Sequence, residues 1–133
     1  IYGSACAATG ESFGLILPYT NTETMKLYLS NFSAQIKLNR HVALVVDNAG
    51  WHTSKDLEIP DNITLIPLPP YAPELNAMEQ VWNWIKSNYL CNSYYKNYED
   101  IVEKASLAWN EFSNNLKLVK SICNRSWIKH RDL

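Results

Sequence analysis

Glycine is scarce here, with four in 133 residues, and none sits in a Gly-rich phosphate loop. That removes support for a P-loop or a dinucleotide-binding fold. The cysteines Cys6, Cys91 and Cys123 are odd in number and widely scattered. No Cys-x-x-Cys pair and no His-rich cluster points to zinc. Buried free thiols in a reducing cytoplasm are the expectation. No apolar run approaches the length of a membrane span, and no secretory signal pattern opens the chain. Charge is limited too: 19% of residues are charged and the formal net charge is −1. That balance argues against a chain that coats nucleic acid over its whole surface. There are no internal repeats and no low-complexity tracts. The first residue is Ile1 rather than Met, so the natural polypeptide is expected to begin earlier or to have been processed.

What is present is ordinary in bulk and unusual in detail. A length of 133 residues predicts one domain, and an apolar fraction of 47% suits a globular core. Five Trp and eight Tyr are many for this length, enough for some to pack inside and some to face a partner. The basic residues gather late. Lys117, Lys120, Arg125, Lys129 and Arg131 occupy one stretch that contains no acid.

The order of elements follows from periodicity and turn chemistry. Ile1 to Ala7 reads as a strand, Thr9-Gly10-Glu11 as a turn, and Ser12 to Leu17 as the returning strand, stopped by Pro18. Thr22 to Leu38 reads as a helix capped by Thr22, with Met25, Leu29, Phe32 and Ile36 near helical spacing. Val42 to Val46 is a continuous apolar run rich in β-branched residues, which suits a central parallel strand. It ends abruptly at Asp47. A polar stretch follows, with a short helix expected around Ser54 to Leu57. Ile63 to Pro69 is a further strand, with Pro67 marking an edge or the end of pairing. After a proline-rich turn, Ala77 to Tyr89 predicts a helix with Met78, Val81, Trp82, Ile85 and Tyr89 on one face. Tyr98 to Phe112 predicts another, with Ile101, Ala105, Ala108, Trp109 and Phe112 as its apolar side. From Leu116 the chain reads as a basic tail that includes Trp127. Alternating strands and helices make this an α/β layer arrangement.

Two carboxylates stand where chemistry can happen. Ligands of open α/β sheets gather outside the carboxyl ends of strands, and Asp47 ends the strongest strand candidate. The same Asp-Asn-Ala-Gly stretch would also serve as a plain turn. Glu79 follows Asn76 by three residues before an apolar run, a capping-box spacing. Pro69, Pro70 and Pro73 stiffen the approach to that helix, and a metal site needs such rigidity around its ligands. Cap and ligand therefore remain alternatives for Glu79. His52 either bonds to loop backbone or orients a carboxylate or phosphate. Trp51 is either core or a stacking surface for a base or sugar. Tyr71 is either packed between prolines or presents its hydroxyl to a bound strand. Trp82 fits the core stripe. Trp84 lies off it, as a second packing contact or a partner surface. Lys86, seven residues beyond Glu79, is a solvated lysine or a phosphate contact.

Three stretches together carry a resemblance: YGSACAATG, VVDNAGWH and PLPPYAPELNAMEQVWNWIK. They resemble the catalytic domain of IS630-type transposases, within the IS630/Tc1/mariner group of DDE superfamily endonucleases, over nearly the whole chain. The resemblance implies a ribonuclease-H-like fold with a mixed sheet and helices. It matches Asp47 with the second acid of the catalytic triad, Asn48 with the residue after it, His52 with the family's His, Pro69 to Pro73 with its proline-tyrosine-proline turn, Glu79 with the final acid, and Trp82 with the Trp that follows. The family usually has Pro where this chain has Ala77, a change that still supports a helix start.

The family's first strand, which carries its first catalytic Asp, has no counterpart ahead of the hairpin. The expectation is a catalytic domain without that strand, whose open edges are paired directly, by a preceding segment, or by a second copy in a homodimer. By resemblance the activity is metal-dependent phosphodiester cleavage at transposon ends followed by strand transfer, impaired in this fragment. Asp47 and Glu79 would be catalytic and would ligate Mg²⁺, with Mn²⁺ as a substitute. Asn48, His52, Tyr71 and Asn76 would support them. Double-stranded DNA is the implied partner, contacted by Trp51, Lys86, Lys117, Lys120, Arg125, Lys129 and Arg131, in a prokaryotic cytoplasm at the nucleoid. The alternative is a catalytically inactive remnant that serves as a dimerisation or DNA-contact module.

Overall fold

The amino-terminal segment folds as the hairpin its composition predicts. In the computed structural model, which describes residues 1–47, 55–91 and 94–124, β1 (Tyr2–Ala5) pairs antiparallel with β2 (Ser12–Leu15). Gly10 turns the chain at φ +79°, in the left-handed region that glycine reaches at no steric cost. A Cβ there would also meet the Leu116 carbonyl oxygen at 2.5 Å.

The next helix, α1, spans Thr22–Gln35. Its cap is Asn21, one residue ahead of the predicted Thr22. Asn21 Oδ1 accepts from the Thr24 amide at 2.9 Å, and Thr24 Oγ1 accepts from the Asn21 amide at 3.0 Å. This reciprocal pair satisfies two amides that the helix leaves without internal partners. The helix stops short of Leu38 because Ile36 turns extended, its N–H donating back to the Ser33 carbonyl. Met25, Tyr28 and Leu29 form its buried face.

β3 (Val42–Val46) and β4 (Ile63–Pro67) run parallel, from Val42 opposite Ile63 to Val46 opposite Pro67. Asn62 links this pair to α1: its Oδ1 accepts from Ser33 Oγ at 2.6 Å and its Nδ2 donates to the Ser33 carbonyl. Pro67 is the last paired residue of β4, and the Leu68 N–H after it still donates to the Val46 carbonyl. The expected short helix near Ser54 to Leu57 does not appear in the described part, where Lys55 and Asp56 form a turn. Pro60 favours extended backbone before it. The sheet differs from the expectation as well. Among the described residues there are two two-stranded sheets, β1–β2 and β3–β4, and no single mixed sheet. Among the described residues each strand has one hydrogen-bonded neighbour, so the central position expected of β3 is not seen there.

Helices dominate the remainder. A 3₁₀ turn (Pro73–Leu75) precedes α2 (Met78–Ile85), which widens into a π-turn (Lys86–Leu90) rather than running on as regular helix to Tyr89. α3 (Tyr98–Ser113) is capped by Asn97, whose Oδ1 accepts from the Asp100 amide at 2.9 Å. α4 (Leu116–Cys123) is capped in the same way by Asn115, at 3.1 Å from the Leu118 amide. This helix replaces the first part of the expected basic tail. It buries Val119 and Cys123 and turns its lysines outward.

Val81, Ile85, Ala108, Trp109, Phe112, Val119 and Cys123 make one core cluster. Trp82 and Trp84 pack against it. Trp82 lies 5.9 Å from Trp109, and Trp84 lies 6.0 Å from Phe112, between ring centroids. Ile101 was expected in the core but is exposed, because the buried stripe of α3 begins one turn later at Ala105. Cys6 and Cys91 are exposed as well, against the expectation of buried thiols, because one borders the hairpin turn and the other ends the π-turn. Burial pushes the Cys6 thiol up, but hydrogen bonds from Thr9 and the Ala8 backbone outweigh it and leave the thiol below its ordinary value.

The chain divides into two compact units. The first joins Ile1–Ile16 to the segment from Ala77 onward, and the second is Leu17–Asn76. Among the described residues no helix is long and apolar enough to cross a membrane.

Candidate functional site

Asp47 is the first residue beyond β3. The Leu68 N–H donates to the Val46 carbonyl at 2.8 Å, so the ladder holds the chain up to the residue before the acid. Asp47 itself is exposed at the carboxyl end of a parallel pair, within the second unit. This is the position at which open α/β sheets present ligand-binding groups.

Glu79 belongs to the first unit, in the opening turn of α2, and is exposed. The capping box expected of Asn76 and Glu79 does not form. Ala77 is the cap residue, already in helical conformation at φ −59° and ψ −25°, and no side chain caps this helix. The reason lies in the proline turn. The Asn76 amide, which a capping Glu would have to engage, donates instead to the Pro73 carbonyl at 3.0 Å. Glu79 therefore becomes the second helical residue rather than the third. Its carboxylate faces solvent near the positive end of the helix, where negative charge is favoured.

The other sequence-predicted residues are placed as follows. Tyr71 is fully exposed and holds φ +59°, so it is not packed between the prolines. Asn76 is half-buried at the end of the 3₁₀ turn. Lys86 opens the π-turn and is exposed, as are Lys117 and Lys120 on α4. Asn48, Trp51, His52, Arg125, Trp127, Lys129 and Arg131 lie outside the described residues.

Both carboxylates are exposed and sit at the ends of hydrogen-bonded elements, and hard oxygen donors of this kind suit Mg²⁺ or Mn²⁺. They belong to different units, and among the described residues no group of three or more His, Cys, Asp or Glu could hold a metal ion.

Sequence reading missed the polar side of α2. Gln80, Asn83 and Ser87 recur there at helical spacing beside Glu79 and line a groove with Ser121 and Asn124. The signal was available as the complement of the apolar stripe, since residues three and four apart share a helix face.

One acid thus lies just beyond the carboxyl end of a parallel strand and the other in the first turn of a helix. The family model described as DDE superfamily endonuclease matches residues 1–102, a span that includes both acids. The chain is also similar to the uncharacterized protein y4pE/y4sA of Sinorhizobium fredii (strain NBRC 101917 / NGR234). The two are 41% identical over 127 residues, covering 96% of this chain and 94% of that protein. The chain therefore belongs to the DDE superfamily endonuclease family. No solved structure matches it.

Proposed function

We propose that this chain is the catalytic part of an IS630-type transposase, a Mg²⁺-dependent DNA endonuclease and strand-transfer domain. The observation that carries the reading is the placement of Asp47 immediately beyond a parallel strand, inside the stretch that matches the endonuclease family. Asp47 and Glu79 would hold the metal. Bound there, Mg²⁺ would supply a Lewis acid for the scissile phosphate and a lowered pKa for the attacking water.

The protein's own part is placement. The β3–β4 ladder leads the backbone into Asp47, and the proline turn with its 3₁₀ segment precedes α2, whose first turn carries Glu79. His52 and Asn48 would orient Asp47. Tyr71, held outward, would meet the DNA backbone. The resemblance calls for a third acid, which a preceding segment or a second copy would contribute. Two carboxylates alone bind a hard cation weakly, so the chain by itself should be nearly inactive.

Mn²⁺ binding followed by electron paramagnetic resonance tests the assignment. Asp47→Asn and Glu79→Gln should each abolish the bound signal. Retention of full binding by either variant would remove that residue from the site.

The second reading is a catalytically inactive DNA-contact or dimerisation module. It draws on the exposed Lys117 and Lys120 of α4. Nicking of supercoiled plasmid in Mg²⁺ separates the two. Nicking that Asp47→Asn removes supports the enzyme. DNA binding without nicking, even at high Mn²⁺ concentration, supports the module.

A further inference from the structure

A groove of about 500 Å³ lies wholly within the first unit. Gln80, Asn83, Ser87 and Asn88 form one wall, from α2 and its π-turn, and Ser121 and Asn124 form the other, from α4. The Trp84 ring also borders it, held by Tyr89 at 5.5 Å and Phe112 at 6.0 Å between centroids. Asn88 Nδ2 donates to the Trp84 carbonyl at 2.8 Å, which pins that amide at the wall.

The lining is rich in amides and hydroxyls and contains no carboxylate. Its charge is arranged along the two helices. Asn83 is four residues beyond Glu79, one turn further on the same face of α2, and Ser87 follows one turn later. On α4, Lys117, Ser121 and Asn124 fall at i, i+4 and i+7, so one exposed cation continues the second wall.

We propose that this groove holds the sugar-phosphate backbone of duplex DNA next to the phosphate that Glu79 addresses. The proposal rests on the reading of Glu79 as a metal ligand. Uncharged amide and hydroxyl donors are among the groups that make backbone contacts to DNA and set its register. A groove free of carboxylates accepts an anionic strand without like-charge repulsion, and Lys117 adds attraction at one end. Asn83 is the link, because it shares a face with Glu79 and lines the groove.

The test is fluorescence anisotropy with the whole chain and a fluorescein-labelled DNA duplex, in a metal chelator, across a salt series. The Asn83→Ala/Ser121→Ala double variant should bind about tenfold more weakly with an unchanged salt slope, because the lost contacts are neutral. Asn83→Gln, which keeps an amide, should recover part of that loss. Lys117→Ala should reduce the slope of log affinity against log salt by about 0.9. Both walls are solvent-exposed at these positions, so urea melting should show the variants folded like the parent. Parental affinity in the double variant, or no duplex binding by the parent, overturns the groove. In parallel, Glu79→Gln should lose Mn²⁺ binding yet keep duplex binding in chelator. If Glu79→Gln still binds Mn²⁺ while the double variant loses DNA, the metal reading falls and the groove stands.

Discussion

In the first unit, α2, α3 and α4 close around Val81, Ile85, Phe112 and Val119, none more than 2% exposed. In the second, β3 and β4 bury only Val46 and Ile63 of their ten paired residues. Burial there is concentrated on one face of α1, at Met25, Tyr28 and Leu29. The strand VALVV is more uniformly apolar than any helix of the first unit, yet it is less well covered. Composition states what a segment is able to bury. The number of layers stacked on it determines what it does bury.

Four substitutions probe that contrast, from the largest expected effect to the smallest. Phe112→Ala empties a site packed by Trp84 and Trp109 and should cost about 3–5 kcal/mol in urea unfolding. A loss below about 1 kcal/mol would mean that the first unit is not close-packed. Gly14→Ala places a Cβ against the Trp109 indole and should cost about 1–3 kcal/mol, read as a lowered thermal midpoint. Asn21→Ala removes the reciprocal cap of α1 and should cost about 1 kcal/mol, visible as lost helical circular dichroism on heating. Ile66→Thr changes a residue that is 42% exposed and should stay within about 0.5 kcal/mol. A much larger loss there would show that β4 is covered in solution, which would erase the difference between the units.

Much of the fold was legible. The hairpin, α1, both parallel strands and α3 follow directly from turn residues and periodicity. α4 was legible too, since Leu116, Val119 and Cys123 recur at helical spacing, but the density of lysines drew the reading toward a solvated tail. The cap of α1 was misplaced by one residue because Asn21 and Thr22 are both good caps, and only geometry decides between them. The capping box of Asn76 and Glu79 was lost to a local competitor that the spacing does not show: the adjoining 3₁₀ turn had already used the amide it required. Asp47 could be placed at its strand end from sequence because a β-branched run stops there abruptly. The number of strands in each sheet was not legible, because pairing partners are set by contacts distant in sequence.

The first unit is assembled from the two ends of the described chain, with Leu17–Asn76 inserted between them. During synthesis, the hairpin that contacts Trp109 through Gly3 and Gly14 is made long before that tryptophan exists. The second unit is complete by Asn76 and is able to collapse while α2 to α4 are still unmade. Gly10 then meets Leu116 only across a loop that spans most of the molecule, and such closures are slow. The ribosome therefore imposes an order. The segment that carries Asp47 is made in full before any of α2, α3 or α4 exists.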